Sequence, residues 1–377
     1  MLKVHKKTLT LLTWTLVFEY NIICSKLQNL LRGVNVRIIA DAMGGDNAPA
    51  QQVKGAVMAA QKLDVDIVLC GREDEINAEL AKIDGDKSRI SVVNCSEVIE
   101  NEDEPVTAAR RKKDSSMVVG LKMVKDGQAD AFVSSGNTGA LIAASIFTLK
   151  RIPGVSRPAL APVIPTAKGP AILLDSGANA VCKPENLYTF AVMGSYYMES
   201  VLGVKNPRVG LINIGAESHK GTPLTQESYE MLKNAPVNFV GNVEARYILD
   251  SQADVLVADG FTGNVVLKLI EGTAKFFFSG IKEMLYKNFV TKLAALALKG
   301  EFKGFKERFN YKEHGGASLM GVNGVVIKAH GSSDAYAFYN AVKQAKKAAE
   351  GGLVEKITAC FAKNADNEET CGDAEDK

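Results

Sequence analysis

Short apolar runs alternate with longer amphipathic stretches along most of this chain. Apolar runs rich in β-branched residues predict strands at residues 36–40, 66–70, 89–94, 129–133, 161–165, 171–174, 209–213, 238–240 and 253–258. Helical spacing of apolar positions is found between several of them, at residues 48–62, 73–82, 116–126 and 139–150. Strands without polar alternation that are separated by helices favour a mostly parallel sheet covered on both faces, which is a three-layer α/β/α fold.

The pattern changes in the last third of the chain. Residues 263–299 are mainly helical in spacing and lack proline, and two short β runs at 318–320 and 324–328 precede a last helix at 334–350. Residues 275–308 carry eight lysines and arginines against three glutamates, a net charge of +5. An apolar face beside a basic face suits an anionic membrane surface, an acidic carrier protein or a dimer contact, and the sequence leaves these open.

Both ends differ from the middle. Lysines and a histidine precede an apolar run at residues 9–18, as in a signal peptide, but the run is too short to span a bilayer and no small-residue cleavage site follows. An export signal, a membrane-surface anchor and an over-long gene model compete, and we favour the last for residues 1–34. We expect an α/β domain at 35–352, with a helical segment around 270–312, and a partly disordered acidic tail at 353–377.

Composition excludes several classes of protein. The net charge of +2 gives no global argument for nucleic acid binding. The six cysteines form no C-x-x-C pair and lie at no metal-ligand spacing, so we expect reduced thiols in a cytosol and neither metal nor cofactor.

Glycine-rich polar motifs follow six of the predicted strands. They are DAMGGD (41–46), SSGNTGA (134–140), DSGAN (175–179), NIGAESHKG (213–221), GNVEAR (241–246) and DGFTGN (259–264). Ligands of open parallel sheets bind outside the carboxyl ends of the strands. We therefore expect all six motifs to converge on one edge of the sheet.

The chemistry of these motifs points to an anion. SSGNTGA precedes a helix and would present backbone N–H groups at its start, and the GGD of the first motif offers a second such position. Dinucleotide, P-loop and serine-hydrolase fingerprints are missing. The residues expected to bind substrate or phosphate are Asp41, Gly44, Gly45, Asp46, Ser134, Ser135, Gly136, Asn137, Thr138, Asp175, Asn179, Asn242, Asp259, Asn264 and Lys268. The candidate catalytic residues are Lys168, His219, Lys220 and His330.

From about residue 36 to 350 the chain resembles the acyl-acyl carrier protein:phosphate acyltransferases of phospholipid synthesis. The resemblance rests on the six motifs, two of them extended as DAMGGDNAP and DGFTGNVVLK, and on GGASLMGVNGVVIKAHGSS at 315–333. It implies a fold like that of phosphate acetyltransferases and isocitrate-type dehydrogenases. It also implies transfer of a long-chain acyl group from acyl carrier protein to inorganic phosphate, giving an acyl phosphate for glycerol-3-phosphate acylation.

The same resemblance implies a cytosolic homodimer with peripheral membrane contact and, as a further partner, the downstream glycerol-3-phosphate acyltransferase. Three alternatives stay open on the residues alone. They are a coenzyme A-dependent phosphate acyltransferase for short acyl groups, a decarboxylating dehydrogenase, and a non-catalytic membrane-surface binding protein.

Overall fold

The computed structural model describes residues 35–298, 300, 313 and 315–372, and the predicted N-terminal extension lies outside them. Its strands are β1 (Val36–Asp41), β2 (Val65–Gly71), β3 (Ile90–Asn94), β4 (Ala131–Ser134), β5 (Ala159–Thr166), β6 (Gly169–Leu174), β7 (Arg208–Asn213), β8 (Asn238–Glu244), β9 (Val255–Val257), β10 (Gly316–Met320) and β11 (Val325–Ala329).

The helices follow the strands in the alternation that the apolar pattern predicts. They are α1 (Ala50–Lys62), α2 (Glu73–Ala81), α3 (Pro105–Arg111), α4 (Ser116–Lys125), α5 (Thr138–Thr148), α6 (Pro184–Ser200), α7 (Pro223–Lys233), α8 (Gly260–Leu285), α9 (Phe289–Ala297), α10 (Ala335–Glu350) and α11 (Leu353–Gly372).

One sheet joins the eleven strands in the order β3-β2-β1-β4-β11-β10-β5-β6-β9-β7-β8. Most pairs are parallel, and the strand residues on both sides of the sheet are buried, as in β1, β4 and β11. The expected mostly parallel α/β fold is confirmed. The last two strands of the chain lie at the centre of the sheet, where β10 pairs antiparallel with both β11 and β5.

The sheet reverses direction at its centre. Since β5 and β6 form an antiparallel hairpin, β6, β9, β7 and β8 run opposite to β1, β4 and β11. The carboxyl ends of the two halves therefore lie at opposite edges. The expectation that six motifs converge on one edge is wrong: DAMGGD and SSGNTGA lie at one edge, and the other four begin at the opposite edge.

The described part of the predicted helical segment around 270–312 belongs to α8 and α9, which expose many large apolar side chains, and residues 301–312 lie outside the described residues. Within the described part of the chain, no helix combines the length and apolar character that a membrane crossing needs. Helix α11 begins within the predicted acidic tail at 353–377, whose partial disorder stays a prediction. Its first turns are held because Leu353, Ile357 and Phe361 are buried.

Candidate active site

Asp41 is a fully buried carboxyl group at the end of β1. Its Oδ2 accepts a hydrogen bond of 2.6 Å from Ser134 Oγ, and its Oδ1 accepts one of 2.7 Å from Ser116 Oγ and one of 3.1 Å from the Met43 N–H. Burial raises the pKa of Asp41, and these hydrogen bonds oppose the rise. The carboxylate thus organises the ends of β1 and β4 around itself.

The two glycine motifs of this edge touch each other. A Cβ atom added to Gly44 would lie 2.7 Å from the backbone N of Gly136 and 2.6 Å from Asp41 Oδ2. The Gly44 carbonyl accepts hydrogen bonds from Ser135 Oγ at 2.7 Å and from Gln52 Nε2 at 2.9 Å. A side chain at position 44 does not fit this approach, which explains the glycine there, whereas a Cβ atom on Gly136 would lie 3.3 Å from its nearest neighbours.

Helix α5 begins beside this contact. Asn137 caps it, with Oδ1 accepting from the Ala140 N–H, while its Nδ2 donates to the Asn101 carbonyl at 2.9 Å. The first-turn amides of Thr138 and Gly139 have no acceptor within the helix and give its start a partial positive charge. Asp46 lies nearby, where its N–H donates to the Gly331 carbonyl at 2.9 Å and its Oδ1 accepts from Asn101.

A lysine that is not among the predicted site residues lies beside this group. Lys328 of β11 pairs in register with Ser134 and is only 8% exposed. Its Nζ donates to the carbonyls of Ser135, at 3.4 Å, and Ala329. Burial lowers the pKa of Lys328 to about 8, although Asp41 and Asp46 oppose the shift.

His330 follows Lys328 at the end of the same strand. Its Nδ1 accepts a hydrogen bond from the Ser332 N–H at 3.2 Å, which places the proton of the neutral ring on Nε2. Partial burial lowers the pKa of His330, which Glu271 opposes and Lys268 reinforces. At neutral pH the ring is therefore an uncharged donor through Nε2.

Helix α8 brings a second cation to the same place. Lys268 acts electrostatically on both Lys328 and His330, and its Nζ lies 2.8 Å from Glu271 Oε2. We call this group the candidate site. It comprises the loops after β1, β4 and β11 together with Lys268 of α8.

The structure places other predicted ligands at the opposite edge. Asp175, after β6, accepts from the N–H groups of Leu160, Ala178 and Asn179 at 2.7–3.1 Å. Asp259 caps α8, and a Cβ atom on Gly263 would lie 1.9 Å from the Asp175 carbonyl oxygen. Burial raises the pKa of Asp175. These carboxylates fix the start of α8.

Asn264 belongs to this second group as well. It is one turn before Lys268, and its Nδ2 donates to the Ser176 carbonyl at 3.1 Å.

The loop after β7 is a third group, at the same edge as Asp175. Asn242 Nδ2 donates to the Glu217 carbonyl at 2.9 Å, and Gln226 Nε2 donates to the His219 carbonyl at 2.7 Å. The side chains of His219 and Lys220 are exposed.

Lys168 lies in the turn between β5 and β6, where its N–H donates to Ser251 Oγ at 2.8 Å. Of the four candidate catalytic residues, His330 alone joins the Asp41 group. Lys328, Ser116, Gln52 and Asn101 belong to the group without having been predicted. A lysine inside the apolar run 325–329 was a signal for the first, and helical spacing gave none for the others.

The chain is similar to known proteins over most of its length. Residues 36–356 match the family described as fatty acid synthesis protein. The chain is 55% identical over 333 residues to the phosphate acyltransferase of Alkaliphilus oremlandii, which covers 88% of this chain and 99% of that protein. It is 50% identical over 323 residues to the phosphate acyltransferase of Clostridium novyi, covering 85% of this chain and 97% of that one.

The fold also has counterparts among solved structures. The EutD phosphotransacetylase from Staphylococcus aureus superposes with a TM-score of 0.55 at 18% identity, covering 84% of this chain and 94% of that one. At this identity the likeness shows the fold alone.

Proposed function

Since this chain belongs to the fatty acid synthesis protein family, whose matched relatives are phosphate acyltransferases, we propose that it moves a long-chain acyl group from acyl carrier protein to inorganic phosphate. The observation that carries the proposal is the candidate site around the Gly44–Gly136 contact, on which Lys268 of α8 acts electrostatically. There a helix start, two lysines and a neutral histidine meet in a form that suits a phosphate beside a polarised carbonyl.

The candidate site contains no activated nucleophile among the described residues. The hydroxyls of Ser134 and Ser135 are donated to Asp41 and to the Gly44 carbonyl. The nearby thiol of Cys70 is buried, and its interaction with Cys95 together with burial raises its pKa well above the usual range. Phosphate itself is then the nucleophile, and the protein's task is to position it and to stabilise charge.

In the proposed reaction a phosphate oxygen attacks the thioester carbonyl carbon, and the carbonyl oxygen becomes an oxyanion. The C–S bond then breaks, the sulfur leaves with its electron pair as the carrier thiolate, and acyl phosphate is formed. A thiol with a pKa near 8.5 is a tolerable leaving group, so a strong general acid is not required. We assign Lys268 and the Nε2–H of His330 as the donors to this oxyanion.

The exposed helices supply a docking surface for this chemistry. Lysines 275, 282, 287 and 292 are exposed along α8 and α9 beside exposed apolar side chains. The apolar members are Phe276, Phe277, Met284, Phe289, Val290, Leu293 and Leu296. We assign this surface to the acidic carrier protein, to peripheral contact of a cytoplasmic enzyme with anionic lipid, and to a second copy of the chain. At the membrane surface the enzyme would meet the glycerol-3-phosphate acyltransferase that consumes the product.

Thiol release from long-chain acyl carrier protein, measured with and without inorganic phosphate, tests the proposal. We expect release that depends on phosphate and a product that hydroxylamine traps. Release without phosphate would indicate a thioesterase. Faster turnover of short-chain coenzyme A thioesters would indicate the coenzyme A-dependent alternative, and no turnover of either thioester would contradict an acyltransferase.

A further inference from the structure

Lys328 is a charged residue in a strand that is otherwise apolar and buried. Every residue of β11 is buried, and the neighbours of Lys328 in register are Ser134 on β4 and Ala317 on β10. Burying an ammonium group is unfavourable unless it is fully paired. A methionine or leucine would fill similar space without that cost, so packing does not explain the charge.

The partners of Lys328 do not use all of its donors. Its ammonium group has three N–H donors. Two are accounted for by the neutral carbonyls of Ser135 and Ala329. Asp41 and Asp46 attract the charge, but neither forms a direct ion pair with it among the described residues. Asp41 instead accepts from two serines and a backbone N–H. The third donor of Lys328 has no acceptor in the described part of the chain.

The position of the ammonium group indicates what completes it. Asp41, Ser134 and Lys328 lie side by side at the ends of three adjacent strands. Lys328 Nζ bonds the carbonyl of Ser135, whose peptide unit leads into Gly136 and the start of α5. We infer that Lys328 is the cation that binds the phosphate at the start of α5, an assignment that rests on the proposed phosphate-dependent reaction.

This role links phosphate binding to a proton. Burial lowers the pKa of Lys328 to about 8, Asp41 and Asp46 raise it, and Lys268 lowers it. The neutral ring of His330 follows directly after the end of β11, and Glu271 acts on it electrostatically. A bound phosphate dianion adds negative charge beside Lys328 and raises the pKa of this lysine above its value without phosphate. The lysine should therefore take up a fraction of a proton when phosphate binds near pH 8, and affinity should fall as the pH rises above that value.

Calorimetric titration with inorganic phosphate tests this in the full-length chain. Wild type, Lys328→Met and Lys328→Arg are compared between about pH 7 and 9.5, in buffers of different ionisation enthalpy, with the exposed Lys343→Met as control. We expect Lys328→Met to weaken phosphate binding, and to raise the KM for phosphate, roughly 10- to 100-fold, as loss of a hydrogen bond to a charged group implies. Lys328→Arg should keep part of the affinity and lose the fall above pH 8, and Lys343→Met should match wild type.

An unchanged affinity and KM for phosphate in a folded Lys328→Met would overturn the assignment. Wild type that binds no phosphate, or that binds it without proton uptake, would overturn it too. If Lys328→Met does not fold, the wild-type proton uptake and the pH profile of Lys328→Arg still decide. The two proposals fail separately. Linked phosphate binding without thiol release contradicts the acyltransfer, and phosphate-dependent thiol release with a normal KM in Lys328→Met contradicts the role of Lys328.

Discussion

Replacing Gly44 with alanine tests whether the contact between the two glycine motifs positions the site. The new Cβ atom would lie 2.7 Å from the backbone N of Gly136, whereas ordinary contacts begin at 3.4 Å, so the loops must separate by about 0.7 Å (3.4 − 2.7). The obstacle is backbone and cannot rotate away. Overpacking of this kind costs about 1–3 kcal/mol of unfolding free energy. A misplacement approaching 1 Å near reacting groups lowers turnover by up to about 100-fold.

The assay is phosphate-dependent thiol release, measured beside the thermal midpoint. The control is Gly194→Ala in α6, where a Cβ atom would lie 2.5 Å from Val255 Cγ1 of β9 and 2.9 Å from Leu174 Cδ1 of β6. We expect both variants to lose a few degrees of melting temperature. Only Gly44→Ala should lose activity, by about 10- to 100-fold in kcat/KM for phosphate. Full activity of Gly44→Ala, or an equal loss in both variants, would refute the reasoning.

Two further predictions concern charge. Arg208 binds Asp254 through two side-chain hydrogen bonds of 2.8 and 3.0 Å, and although burial raises the pKa of Asp254, this pairing lowers it overall. The stabilisation is therefore present above the pKa of an unfolded aspartate and is lost on acidification through the lowered value. Asp254→Asn should cost about 1 kcal/mol at pH 7, and a melting-temperature difference from wild type that does not shrink as the pH falls below the pKa of an unfolded aspartate would contradict this. Lys287→Glu with Lys292→Glu should weaken sedimentation with anionic vesicles and binding of acyl carrier protein, compared with Lys343→Glu and Lys347→Glu on α10. Unchanged binding of both would exclude α8–α9 as the docking surface.

The local pattern predicted most strands but could not predict their direction. The apolar runs that became β5 and β6 are close in sequence and favour strands of either orientation. Their pairing as a hairpin, and the insertion of β10 beside β5, reverse the second half of the sheet. Such choices depend on contacts between distant segments. The motif positions were therefore predictable along the chain, whereas the edge on which each lies was not.

Helices buried on most faces were the other omission. Helix α6 has ten buried residues among its seventeen, so it shows no polar stripe to mark it. Gln52 and Ser116 were not predicted as site residues, although the helices that carry them were predicted. Each is a polar residue on a helix that packs against the sheet, and each contacts a group brought from another strand, as Ser116 contacts Asp41. Lys328 was within reach of sequence reasoning, since a lysine in an apolar run predicts a buried charge that needs a partner.

The motif DGFTGNVVLK shows how one segment can serve both edges. Asn264 and Lys268 are one turn apart and lie on one face of a helix, so the spacing predicts a shared neighbourhood. In the structure Asn264 holds Ser176 at one edge, while Lys268 acts on His330 at the other. Lys268 lies eight residues after the first residue of the helix, Gly260, which is a rise of about 12 Å along the helix axis. Sequence fixes such a rise along the axis, but only the packing of α8 against the sheet decides which groups it joins.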